Sequence, residues 1–234
     1  MLTPTAGERH LGEEKPLKSF LIVGLGRFGR SVARKLCELG NEVLVIDRNA
    51  DIVQHIADEV TYSIVGDATD ESVLNAAGAR NFDCAVVAVA SDIENSVLAT
   101  ALLKEAGIPH VIAKARSSLH RLVLQRIGAD EIVFPEEEVG IRLARTLSNR
   151  SFLDYMSVTD DFSIAEMQVP GKWIGKTLIE LNVRAKYGLT VLATRPKDSE
   201  KLSLSPNPAE PLTDDVVLVM IGTNDDLEKI GQFA

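Results

Sequence analysis

The sequence predicts an α/β protein: a doubly wound parallel sheet followed by a small α+β domain. Three observations predict it. From Ser19 to about Asn149, short apolar runs alternate with segments of helical period. A glycine-rich turn, Gly24-Leu25-Gly26-Arg27-Phe28-Gly29, joins the first apolar run to the first helical segment. Beyond Asp154 the alternation gives way to half-buried strands and short helices.

The elements follow in order. Phe20–Val23 is a short apolar strand. Val32, Ala33, Leu36 and Leu39 fall at helical spacing over Phe28–Leu39, and Gly40 ends that helix as a C′ glycine does. Glu42–Ile46 is a second strand, Ala50–Glu59 a helix and Tyr62–Val65 a third strand. Thr69–Gly78 is a helix with Asp70 and Glu71 in its first turn, where the dipole favours anions. Cys84–Val89 is unbroken in its hydrophobicity, as a strand covered on both faces must be. Ile93–Ala106 is a helix closed by Gly107, His110–Ala113 a strand, Ser118–Ile127 a helix and Glu131–Phe134 a sixth strand. Pro135 suits the first position of a further helix that runs to Leu147, with Glu136–Glu138 in its first turn. Such alternation implies parallel crossovers and helices on both faces of one sheet.

The joint between domains is expected near Arg150–Ser157. Residues 1–17 read as a flexible leader, 18–150 as the nucleotide-binding domain and 157–234 as the second domain. In that second domain Phe162–Val169, Leu189–Ala193 and Val216–Ile221 read as strands. Leu178–Asn182 is a short helix, Pro196–Pro211 a loop, and Asn224–Ile230 a closing helix capped by Asn224.

Composition narrows the function. There are 25 Lys+Arg against 34 Asp+Glu, a net charge of −9. That balance argues against a nucleic-acid partner, which would require a basic face. Cys37 and Cys84 make no disulfide framework and no metal cluster, which fits a reducing compartment. The longest apolar runs, such as Cys84–Ala90 and Val216–Ile221, fall far short of the roughly 20 residues that span a bilayer. The N-terminus lacks the apolar core of a secretory signal.

The glycine turn carries the sharpest chemistry. In a strand–turn–helix context, Gly24 permits the tight turn. Gly26 lets the backbone approach a pyrophosphate, and Gly29 permits close packing of helix on strand. The helix N-terminus then offers unpaired N–H groups to phosphate oxygens. Asp47 closes the second strand 18 residues after Gly29, where a carboxylate accepts hydrogen bonds from ribose hydroxyls. The motif specifies a Rossmann-like mono- or dinucleotide site without saying which. Asp47 would repel a 2′-phosphate and Arg48 would attract one. Arg27 is either a solvated side chain or a charge-assisted donor to a terminal phosphate, including one held by a neighbouring subunit. Asp67 and Thr69 either cap a helix, or Asp67 and Ala68 lie beside an adenine. Ser91 and Asp92 follow the fourth strand at the switch point of the sheet.

Groups for catalysis are harder to find. His10, His55, His110 and His120 all precede the second domain, and no GxSxG, HExxH or CxxC spacing occurs. His55 and His120 sit within helices, and Cys37 and Cys84 read as small core residues. The nucleotide is therefore expected to act as an effector, and the chain is not expected to be an enzyme.

GLGRFG, the VID of Val45–Asp47, the GDATD of Gly66–Asp70, IGADEIVFPEEEVG at Ile127–Gly140 and LNVRAKYG at Leu181–Gly188 together resemble the RCK (regulator of K⁺ conductance) family. The resemblance runs from about Lys18 to the C-terminus and covers both RCK_N (TrkA-N) and RCK_C (TrkA-C) domains. It is nearest to the cytoplasmic gating subunits of bacterial Ktr potassium uptake systems. The resemblance implies a dimer exchanged through the helix Pro135–Leu147, an octameric ring of four dimers, and docking on a membrane K⁺-translocating subunit. It implies ATP and ADP as effectors, lined by Gly24, Gly26, Arg27, Phe28, Gly29, Asp47, Arg48, Asp67, Ala68 and Asp92, with Lys114 and Arg116 adding positive charge. Arg27 would reach the γ-phosphate of ATP held by the partner subunit. Glu136 matches a glutamate associated with Mg²⁺ or Ca²⁺. Asn182, Arg184 and Tyr187 match a cyclic di-AMP site. Two other readings are an NAD(H)-sensing Trk-type regulator, disfavoured because no internal repeat is found, and a Rossmann oxidoreductase.

Overall fold

The computed structural model describes residues 18–89, 92–148, 152–159 and 161–231. The expected leader, Ser91 and Arg150 lie outside them. The chain divides into two compact units between Pro135 and Glu136.

The first unit holds six strands: β1 (Ser19–Val23), β2 (Glu42–Asp47), β3 (Tyr62–Val65), β4 (Cys84–Val87), β5 (His110–Lys114) and β6 (Glu131–Val133). Their order in the sheet is β3-β2-β1-β4-β5-β6, and every pairing is parallel. The alternation in the sequence predicts this sheet, because parallel neighbours need a crossover between them. The helices are α1 (Arg27–Glu38), α2 (Ala50–Ile56), α3 (Glu71–Ala76), α4 (Ile93–Glu105) and α5 (Ser118–Arg126). Alternate residues along each strand divide two cores. Ile22, Val43, Val45 and Val86 face Ala33, Val53 and Ile56 of α1 and α2. Leu21, Leu44, Ala85 and Val87 face Leu74, Leu103 and Leu124 of α3, α4 and α5. Burial on both faces explains why these strands are nearly continuous in hydrophobicity. The order turns between β1 and β4, whose C-terminal ends therefore flank a crevice.

Helix starts correct two readings. Asp70 lies outside α3 as its N-cap, accepting the Ser72 N–H at 2.8 Å. Neither Asp67 nor Thr69 caps a helix; their side chains bond each other. Asp92 caps α4 by accepting the Asn95 N–H. The helix expected over Ala50–Glu59 ends as a 3-10 turn at Ala57–Glu59.

The helix α6 (Pro135–Ser148) begins at the division and runs into the second unit, where β7 (Phe152–Ser157) and β8 (Phe162–Gln168) follow. Two short helices, α7 (Leu178–Leu181) and α8 (Val183–Tyr187), precede β9 (Thr190–Pro196), β10 (Ser203–Leu204) and β11 (Val216–Thr223), and α9 (Asn224–Gly231) follows. The sheet order is β10-β9-β11-β8-β7, all antiparallel. Met167, Leu218 and Met220 pack against Leu227 and Ile230 of α9. β7 occupies much of the stretch expected to be a joint. Only Phe152 and Tyr155 along it are buried, too sparse an apolar pattern to stand out as a strand. α9 is capped by Thr223, which accepts the Asp226 N–H at 3.2 Å, and Asn224 is the helix's first residue. The Asn224 side chain instead accepts the hydroxyls of Tyr155 and Ser163, tying α9 to β7 and β8. Among the described residues, no helix is long and apolar enough to cross a membrane.

Candidate functional site

The C-terminal ends of β1, β2, β3 and β4 frame a cavity of about 480 Å³. Backbone hydrogen bonds hold its rim. Gly24 N–H donates to the Ile46 carbonyl at 2.9 Å, Gly66 N–H to the Asp47 carbonyl at 3.0 Å, and Ala88 N–H to the Val23 carbonyl at 2.7 Å. Gly24 has φ of +90°, and a Cβ there would meet Val89 Cγ2 at 2.6 Å, so the turn needs glycine twice over. Gly29 is buried, because α1 lies directly on the turn. Gly26, the residue before α1, is exposed and leaves the helix N-terminus open to the cavity.

Asp47 has a structural duty beside its expected ribose role. Its Oδ2 accepts the Leu25 N–H at 2.6 Å and its Oδ1 the Asn49 N–H at 2.9 Å. The carboxylate thus fixes the glycine turn against the end of β2. Asp67 is paired with Arg48, Nη2 to Oδ2 at 2.6 Å. Its Oδ1 accepts the Thr69 N–H and hydroxyl. Partial burial would by itself raise the Asp67 pKa. The hydrogen bonds from Arg48 and Thr69 and the guanidinium charge outweigh it and hold the carboxyl at about 2. A depressed carboxylate pKa contributes stability above the unfolded value, and that contribution is lost as pH falls toward 2. The Asp67 carboxyl, followed by NMR, is expected to titrate well below the usual 3.8. In Arg48→Ala its midpoint should move back up toward that value; an unmoved midpoint would show that Arg48 is not what holds it down.

Of the residues singled out from the sequence, Gly24, Gly26, Asp47, Arg48, Asp67, Ala68, Asp92 and Lys114 line the cavity. Phe28, Gly29, Arg27 and Arg116 do not. Phe28 is half-buried with Lys114 Nζ 5.5 Å from its ring centre, so it supports a lining residue from beneath. Gly29 is packed behind the turn. Arg27 and Arg116 are exposed. Sequence reasoning missed Asn95, whose Oδ1 lies 3.2 Å from Arg48 Nη2. Its spacing three residues after the cap Asp92 was the available signal.

The remaining candidates lie in the second unit. Glu136 stands in the first turn of α6 beside Glu137 and Glu138. Among the described residues no three His, Cys, Asp or Glu side chains converge as metal ligands. Asn182 joins α7 to α8 in a left-handed conformation, φ of 44°, and is exposed, as is Arg184. Tyr187 is half-buried and packs against Trp173 at the edge of the core, ring centres 5.3 Å apart. The structure does not bring these three into one cavity.

The TrkA-N domain family matches residues 20–135 and the TrkA-C domain family residues 163–233. The chain is 40% identical to Ktr system potassium uptake protein A of Bacillus subtilis (strain 168), over 91% of this chain and 95% of that protein. It is 37% identical to Ktr system potassium uptake protein C of the same organism, with the same coverage. It is 33% identical to the Vibrio alginolyticus protein A, over 90% of this chain and 94% of that one. The RCK domain of GsuK superposes with a TM-score of 0.64 at 22% identity, covering 94% of this chain and 48% of that chain, which supports the fold alone. The fold, the glycine turn and these relatives agree: the chain belongs to the family of the Ktr system potassium uptake proteins, with a TrkA-N and a TrkA-C domain.

Proposed function

We propose that the chain is a nucleotide-responsive regulatory subunit of a potassium uptake system, taking ATP or ADP in the cavity beside the glycine loop. One observation carries the reading. The α1 N-terminus opens at Gly26 onto a cavity whose next position along the sheet edge is Asp47, in a relative of proteins named for Ktr potassium uptake. The carboxylates around the cavity hold structure. Asp47 braces the glycine turn, Asp67 pairs with Arg48 and Asp92 caps α4. That arrangement suits an effector pocket that reports occupancy through its walls.

In this reading the subunit works in the cytoplasm, on the inner face of the membrane. It assembles as dimers into an octameric ring and acts on a membrane K⁺-translocating subunit. Mg²⁺ or Ca²⁺ would be held at Glu136, together with the same carboxylate of a neighbouring chain. Cyclic di-AMP would act on the TrkA-C domain, with Arg184 and Asn182 as its exposed groups. A second reading keeps the site and changes the ligand to NAD(H); the fold-sharing GsuK channel has a structure described as bound to NAD.

A thermal-shift series with ATP, ADP, NADH, NADPH and cyclic di-AMP tests the proposal. ATP and ADP are expected to stabilise the protein, and stabilisation by NADH alone would favour the second reading. Arg27 supplies a sharper test. It is exposed at the start of α1, directly after the cavity-lining Gly26. If it meets the γ-phosphate of a neighbouring subunit's ATP, Arg27→Ala should weaken ATP over ADP by at least about tenfold. Calorimetric titration of both nucleotides decides it, and equal losses would remove the γ-phosphate role.

A further inference from the structure

Among the described residues, two buried side chains of the first unit carry polar atoms without a hydrogen-bond partner. His120, in the first turn of α5, is 1% exposed, and both of its ring nitrogens are unpartnered. Ser96, near the start of α4, is fully buried, and its hydroxyl is unpartnered. Such groups are rare, because burial strips away water and nothing replaces its hydrogen bonds. The two helices pack against each other and share one core on one face of the sheet. The residue before Ser96 is Asn95, which lines the cavity.

The surroundings of the imidazole set its charge. α5 packs against α4 and β6 and shares their core with β5. Buried on α4 are Ser96 and Thr100 among apolar neighbours, on β5 Val111 and Ala113, and packed from β6 is Ile132. None of these titrates. The charged group that acts on the ring is Arg116, which precedes α5 and has the sign of a protonated imidazole. His120 also lies at the N-terminal end of α5, where the helix dipole opposes a cation. Its backbone N–H donates to Ser117 Oγ at 3.2 Å, the cap of that helix. Burial first, and Arg116 second, push the ring's pKa below the usual 6.5.

We propose that His120 is a pH-sensitive latch for α5: uncharged, its ring seats the first turn of the helix in the core, and protonation releases that turn. A protonated ring carries a charge with no acid beside it and one more N–H donor to satisfy. It reaches water only if the turn lifts. Ser118–Arg126 then loosens, together with the surface formed by the exposed Leu119 and Leu122 on either side of His120 in the chain. The direction follows from the depressed pKa. Above 6.5 the ring is uncharged in both the closed and the open form, and the closed form is not penalised. As pH falls through 6.5 the open form takes up the proton first, so opening becomes easier. The latch depends on these core residues alone and holds whichever nucleotide the cavity takes.

The test is backbone amide exchange on the full chain, read by mass spectrometry from about pH 8 to about pH 5.5 and corrected for the intrinsic rate. Exchange at the imidazole Cε1 position, followed in the same samples, reports each histidine's own titration. At about one pH unit below 6.5, protection of α5 in wild type should fall by about fivefold to tenfold. Protection of α2, which carries the exposed His55, should hold. In His120→Leu, which takes up no proton, α5 should be equally protected at both ends of the range. If that variant does not fold, the wild-type ring decides: its Cε1 exchange must titrate below 6.5, within the range in which α5 loses protection. Protection of α5 that is unchanged by pH, a pH dependence retained in His120→Leu, or a ring that titrates at or above 6.5 overturns the latch.

Discussion

Gly29→Ala is expected to cost the first unit about 3 kcal/mol or more of stability. A Cβ at Gly29 would stand 2.0 Å from the Gly24 carbonyl oxygen and 3.1 Å from Ala88 Cβ. The closer of these is backbone, so no rotamer change relieves it. The turn cannot drift away either. Gly24 is bonded through its N–H to Ile46, and the next N–H, that of Leu25, is held by Asp47 at 2.6 Å. Relief therefore means breaking one of those bonds or lifting α1 from a face where Ala33 is fully buried. Chemical denaturation of the variant against wild type measures the loss. A difference under about 0.5 kcal/mol, the range of an ordinary surface change, would show that the turn yields without cost.

Gly26→Val should behave in the opposite way, although it lies three residues from Gly29 in the same motif. Its φ of −64° is open to any residue, and a Cβ there meets no protein atom within 4 Å. The unliganded protein should keep its stability to within about 0.5 kcal/mol. The loss falls on the ligand, because the new side chain occupies space that phosphate oxygens need at the helix N-terminus. At a hundredfold excess over its dissociation constant a ligand stabilises the folded state by about 2.7 kcal/mol, and that gain should vanish. Thermal scans with and without ATP read both quantities from one sample. An ATP-induced shift equal to wild type would show that phosphate does not bind at Gly26.

The contrast shows how unevenly a motif can be read. The three glycines of the turn look alike in sequence, yet two serve packing and conformation and one borders only open space. Gly24 is required by its positive φ and by Val89, Gly29 by the Gly24 carbonyl, and Gly26 by no atom of the protein. The carboxylates divide in a similar way. Asp47 was legible as the acid that ends β2, because its distance from the glycines reflects the length of one helix and one strand. Its grip on the Leu25 N–H was not, since that bond depends on how closely the ends of β1 and β2 approach. Asp70 and Thr223, which cap α3 and α9, were obscured by polar neighbours equally suited to the task, and only backbone geometry chooses among such candidates.

By itself the sequence determined the order of strands and helices in the first unit, the two-faced burial of its sheet, the glycine turn and the family. These depend on local periodicity and on spacings along the chain, which survive without any knowledge of what packs where. Only the tertiary structure decided that β7 joins the second sheet and that Tyr187 turns toward Trp173. Only it showed that Arg48 closes on Asp67. Each is a contact between residues far apart in sequence or between side chains with several competing partners. Arg48 precedes Asp67 by a whole helix and strand, and only the parallel pairing of β2 with β3 brings their ends together.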